Sequence, residues 1–286
     1  MPVKVMVRKF PAIIFIVCAC VASSCGRGAR LPEDLSRAES LLDSRPDSSL
    51  IILDSASYSE SSGRYLYASY CLLRTFAEYN AYKPGIDEGM MNVGVDYFLK
   101  YGNRDRKAQA YYLRAVVRED NKSGDQADWA NDLLLATKEV KGSGNHMLAA
   151  MINLRYAVVL NDRKWYDASL PYLEKGLEEA EKAGSLAFQV TALINLSHRS
   201  LFLGDADRDY SEAIEYANRA AEISKEMIMT MPVLFTISER ATAVTVNSIR
   251  LWNAPRPLSA RRKGFSGKEK ERPVCVTLSL RMLSVK

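Results

Sequence analysis

Histidine is nearly missing from this 286-residue chain, which has only His146 and His198. Neither stands at a distance from cysteine that would suit zinc. Each reads as a solvated or packed side chain: His146 near a loop at a helix start, His198 on a helix four residues before Phe202. There is no G-x-S-x-G elbow for a serine nucleophile. Gly142-Ser143-Gly144-Asn145 lacks the Lys and Ser/Thr of a phosphate-binding loop and has no strand before it. Carboxylate pairs such as Glu119-Asp120 and Glu178-Glu179 fall on helical surfaces among lysines and arginines, the pattern of a solvated face. The expectation is a protein without catalytic activity, cofactor or metal. Cysteine is also scarce, with five residues, three of them within the first 25 positions. Cys71 and Cys275 remain, in regions of different character, so no disulfide framework is expected. Cys71, on an apolar helical face, reads as a small buried residue.

Long apolar runs are missing as well. The longest, Ala12 to Val21, falls short of the about 20 residues of a membrane-spanning helix. Thr236 to Ile249 is broken by Glu239 and Arg240. The N-terminal run has another use. Lys4, Arg8 and Lys9 precede it, and the small residues Ala22-Ser23-Ser24 follow, which is the layout of a targeting segment over residues 1–24. Ala22-Ser23-Ser24-Cys25 resembles the lipobox of bacterial lipoproteins, with Ala22 where that motif has Leu. The resemblance implies diacylation at Cys25, followed by a short flexible spacer over residues 25–30. Several acyl chains, at about 0.8 kcal/mol per buried methylene, would anchor the chain firmly. Gly26 after the Cys, instead of the Asp that retains some lipoproteins at the inner membrane, favours the outer membrane facing the periplasm.

At 48% hydrophobic and 26% charged, the composition is that of a folded protein, long enough for one elongated domain or two compact ones. The net charge of +5 is uneven. From Met231 onward eleven Lys and Arg face three Glu, giving +8, which leaves the rest near −3. The basic pI therefore belongs to tail and leader, and no nucleic-acid binding by the helical body is expected.

Between these ends the apolar residues recur at helical spacing. Leu35, Ala38, Leu41 and Leu42 line a first helix, and Leu50, Ile51 and Leu53 line a second after the break Ser44-Arg45-Pro46-Asp47. Four further pairs follow: Arg64–Asn80 with Ile86–Tyr101, Lys107–Glu119 with Gln126–Val140, His146–Leu160 with Tyr166–Ala183, and Phe188–Leu203 with Tyr210–Lys225. Leu73, Leu113, Leu154 and Leu196 mark the first helices at intervals of 40, 41 and 42 residues. Gly102, Gly142, Gly144 and Gly184 punctuate the ends of second helices, as C-caps do. Pro171 is expected to lie within the first turn of its helix.

The clearest pair is Asn195 to Ile223, NLSHRSLFLGDADRDYSEAIEYANRAAEI. Asn195-Leu196, Gly204-Asp205, Tyr210, Ala213, Tyr216 and Ala220 resemble the pattern of a tetratricopeptide repeat, with Ala206–Asp209 as an insertion. AESLLDSRPDSSLIILDS, near the other end, is similar to the opening of bacterial lipoproteins and membrane-anchored regulators whose extracytoplasmic part is a repeat array. In AYYLRAVVRED the small repeat position falls at Arg114 or Ala115, and in NLRYAVVL at Arg155 or Ala157; close packing favours the alanines. The resemblance implies an all-α, TPR-like helical-hairpin solenoid over residues 31–228, a right-handed superhelix of about five helix pairs. Residues 229–286 lose the helical stripe and form an irregular basic tail, either disordered or the product of a truncated or shifted reading frame.

In such a solenoid the first helices line a concave groove that takes an extended peptide or a partner helix. Asn153 and Asn195, each just before a marker Leu, hold the place from which relatives hydrogen-bond a ligand backbone. Tyr111, Arg114, Arg155 and Arg199 would add charge and aromatic surface. The expectation is a lipid-anchored scaffold of the bacterial envelope, docking a protein or peptide in its groove and touching the membrane through its lipid. One alternative is the sensor part of a truncated envelope regulator. Another is a carbohydrate-handling or hydrolytic lipoprotein, which would need a deep pocket with convergent polar groups.

Overall fold

The computed structural model describes residues 30–202 and 210–230, the last three without side-chain detail. Ten α-helices and no strand lie among these residues. They are α1 (Glu33–Leu41), α2 (Pro46–Ser55), α3 (Arg64–Asn80), α4 (Glu88–Tyr101), α5 (Arg104–Asn121), α6 (Gln126–Val140), α7 (His146–Asp162), α8 (Tyr166–Lys182), α9 (Leu186–Phe202) and α10 (Ser211–Thr230). A 3-10 turn at Glu60–Ser62 precedes α3. The expected leader, the lipidated Cys25, the Gly204-Asp205 turn with its insertion, and the tail beyond Thr230 lie outside the described residues.

Local chemistry sets the boundaries. Pro46 opens α2, where its missing N–H is not needed. Side chains of Asp87, Asn103, Asp125 and Asn145 accept from the orphan backbone N–H groups that open α4 to α7. Three first helices close alike: Tyr82, Lys122 and Lys164 take φ of 57°, 53° and 62°. The next N–H then donates back to Glu78, Arg118 and Leu160, the bonding of a Schellman motif. Gly142 and Gly184 occupy the left-handed position after α6 and α8 as expected. Gly102 instead ends α4 in extended backbone at φ −70°, and Gly144 needs no positive φ. Pro171 corrects the sequence reading: it is the sixth residue of α8, beyond the first turn, and leaves the Asp167 carbonyl without its helical donor. Asp167 is largely exposed, so water can serve that carbonyl.

The helices form hairpins, α1–α2 through α9–α10, and extensive packing joins each helix to its sequence neighbours. The remaining substantial contacts run from one first helix to the next: α1 to α3, α3 to α5, α5 to α7 and α7 to α9. Two hairpins, α3–α4 and α7–α8, are drawn tight by glycine. A Cβ on Gly94 would stand 2.8 Å from the Leu72 nitrogen, and one on Gly176 2.5 Å from Leu154 Cδ2. Ala115 and Ala157 are fully buried, in line with their expected close packing.

Successive hairpins are also stapled through polar groups. Asn80 donates to the Leu42 carbonyl at 2.9 Å, Asn121 to Ile86 at 2.9 Å, Arg163 to Gln126 at 2.9 Å, and Arg199 to Tyr166 at 2.8 Å. In each case a residue from the C-terminal half of a first helix, or just past its end, reaches the turn region of the hairpin before it. The buried clusters run across hairpin boundaries; even the last, drawn from α9 and α10, has Leu177 of α8 packed against it. One buried cluster runs continuously from Leu35 in α1 to Val159 in α7, and two smaller ones continue it through Leu173 and Leu196 to Met227. Each leucine buried between hairpins contributes about 1.5–3 kcal/mol that an isolated hairpin could not obtain.

Candidate partner-binding cleft

The six side chains expected to bind a partner are all on first helices, and they divide by burial. Asn153, Arg155 and Arg199 are buried; Tyr111, Arg114 and Asn195 are partly exposed. Arg114 forms a bidentate pair with Asp132 of α6, Nε to Oδ2 at 2.7 Å and Nη2 to Oδ1 at 2.6 Å, and packs over the Tyr111 ring. Arg155 pairs with Glu119 of α5 beside the buried Tyr112, and its Nε has no hydrogen-bond partner. Asn153 and Asn195 both donate to the carbonyl one turn back, Ala149 at 2.7 Å and Thr191 at 2.9 Å. Arg199 adds a 3.4 Å contact with Asp167 to its bond with Tyr166. These arginines thus already have internal partners.

A cleft that the sequence reading did not anticipate draws residues from every first helix: Glu39 from α1, Phe76 from α3, Gln109 from α5, Met147 and Met151 from α7, and Phe188 from α9. Its volume is about 170 Å³, the scale of one large side chain. Phe76 and Leu148 are buried in its floor, while Met147, Met151 and Phe188 stay partly exposed. Methionine is unbranched and polarizable, so such a surface can refit to different apolar shapes. At the lip, Arg106 Nη1 lies 2.7 Å from Glu39 and donates to Gln109 at 2.9 Å. The Glu39–Arg106 pair connects α1 with α5, two hairpins apart. The lining residues from Glu39 to Phe188 recur at 37, 33, 38 and 41 residues, too unevenly to align before the hairpin register is known.

The remaining ionisable groups are spread out. His146 Nδ1 is 2.7 Å from Glu179 Oε2 across the α7–α8 hairpin. Burial lowers the His198 pKa and favours the neutral ring. No group of three or more His, Cys, Asp or Glu suited to a metal occurs among the described residues. No helix among them is long and apolar enough to cross a membrane. The described residues define an all-helical array of stacked hairpins whose first helices share one cavity. Comparison with protein-family models, with curated proteins and with solved structures finds no match to the chain.

Proposed function

We propose that this protein is a tetratricopeptide-type scaffold of the bacterial envelope, anchored by lipid at Cys25 to the outer membrane on its periplasmic side. In this reading the hairpins form a right-handed superhelix, and a protein or peptide partner lies along the first helices. The observation that carries it is the cleft to which all five first helices contribute. An apolar side chain of the partner would enter between Met147, Met151 and Phe188, with its backbone along the partly exposed Asn195. Burying one such anchor contributes about 1.5–3 kcal/mol, so affinity would come from several contacts along the array.

Benzophenone crosslinking in intact cells tests the docking. A photoreactive residue in place of Met147 should give a discrete adduct that Met151→Glu removes, and one in place of the exposed Glu174 on α8 should not. Equal adducts at both positions, or none from the cleft, would contradict the proposal. The anchor is tested separately: palmitate label should enter the parent and not Cys25→Ala, and equal label in both would remove it.

A further inference from the structure

A second and larger cavity lies between α2, α3 and the α3–α4 turn, and it shares no residue with the first-helix cleft. At about 610 Å³ it falls in the range of ligand-binding sites, roughly 300–1,000 Å³. Its floor is apolar. Leu50 and Ile86 are buried there, and Ile51 beside them is 70% exposed, the most exposed large hydrophobic residue among those described. Its rim is acidic: Asp47, Asp54, Glu78 and Asp87 stand against Arg74 and Lys83. Arg74 is shared, with Nη1 2.6 Å from Asp54 and Nε 3.1 Å from Glu78, so one guanidinium serves two carboxylates. Burial first, then the nearby Asp54 and Asp87, hold the Glu78 carboxyl above its usual range in spite of Arg74. The groove therefore has negative charge in excess of its own cations and an apolar surface beside it left in water.

We propose that this groove docks a basic amphipathic segment of a partner protein. An apolar residue of that segment would seat on Leu50 and Ile51, and flanking Lys or Arg would meet Asp47, Asp54 and Glu78. The cations would supply the positive charge that Arg74 and Lys83 do not, and closing over Ile51 removes its apolar surface from water. Acidic segments and anionic lipid surfaces would be repelled by the same rim. This inference is independent of the first-helix cleft.

The test uses the full chain and a fluorescent synthetic peptide of alternating Leu and Lys pairs, with anisotropy as readout at about 0.15 M salt. A control peptide carries Glu at every Lys. The Lys peptide should bind, and the Glu peptide should not. Ile51→Ser and Asp47→Lys, both at exposed positions, should each weaken binding at least about tenfold. Met151→Ser in the other cleft should leave it unchanged. Equal affinity for the two peptides, or affinity insensitive to Ile51→Ser and Asp47→Lys, would overturn the proposal, as would loss of binding through Met151→Ser.

Discussion

Replacing Gly94 by alanine should destabilise this protein, although the same change in an open helix would stabilise it. The added Cβ would meet the Leu72 nitrogen at 2.8 Å and the Ala68 oxygen and Leu72 Cα at 3.0 Å, all of them backbone atoms of α3. Backbone cannot rotate aside, so α4 must move away from α3 along the hairpin. Overpacking of this kind costs about 1–3 kcal/mol. Alanine returns about 1 kcal/mol of helix propensity, which leaves a net loss of up to about 2 kcal/mol. For a chain of this size that corresponds to a fall in Tm of up to about 8 °C, read by circular dichroism at the helical band. Gly144 is the control: nothing lies within 4 Å of its Cβ position and its φ is not left-handed. Gly144→Ala should be neutral or raise stability by up to about 1 kcal/mol. If Gly94→Ala raised Tm as Gly144→Ala does, α3 and α4 would not be in close approach, and the hairpin packing described above would be wrong.

Other perturbations test other parts of the structure. Glu119→Gln leaves the buried Arg155 without its counter-charge and should cost about 3 kcal/mol, whereas Arg155→Met, which removes the buried charge itself, should cost less than about 1; urea titrations giving the reverse order would refute the pairing. Burial pushes the Cys71 thiol up to about 11, against an opposing hydrogen bond with Tyr67, so peptide-mapped alkylation at neutral pH should spare Cys71 until the chain unfolds. Modification of native Cys71 at the rate of a free thiol would contradict its burial. Hydrogen bonds from Lys175 and Lys182 pull Glu178 down to about 2, and His146 and Lys175 hold Glu179 low against the opposing effect of its burial. Both carboxylates bind protons more readily unfolded than folded, so their contribution is present above pH 4.5 and lost as pH falls toward 2. Lys182→Met should flatten the fall of Tm over that window; an unchanged slope would mean that these ion pairs do not form in solution.

Much of the helical plan was legible in the chain because its signals are local. The stripe through Leu35, Ala38 and Leu42, the break Ser44-Arg45-Pro46-Asp47 and the glycines Gly142 and Gly184 place helices without any tertiary information. The bounds of α3 and α6 follow directly from such signals. What escaped depends on which residues meet across hairpins. Gly94 looks like a helix breaker until Leu72 is seen against it. Arg155 sits among apolar neighbours in the sequence and reads as a surface cation, yet Glu119, 36 positions earlier, lets it be buried. Arg114 finds Asp132 in the same way across its own hairpin. The first-helix cleft was out of reach for the same reason: Glu39 and Phe188 are neighbours only after five hairpins have stacked. Left-handed Tyr82 and Lys122 carry no sequence signal, because glycine is the residue that normally marks such positions.

The central claim is that these hairpins owe their stability to their immediate neighbours, and native-state hydrogen exchange after Leu193→Ala tests it most directly. Leu193 is fully buried in α9, and the truncation should cost about 2–5 kcal/mol. A stacked array predicts faster exchange in α8, α9 and α10, fading through α7, with α1 and α2 unchanged. Equal acceleration in all ten helices would show a single cooperative bundle and contradict the account.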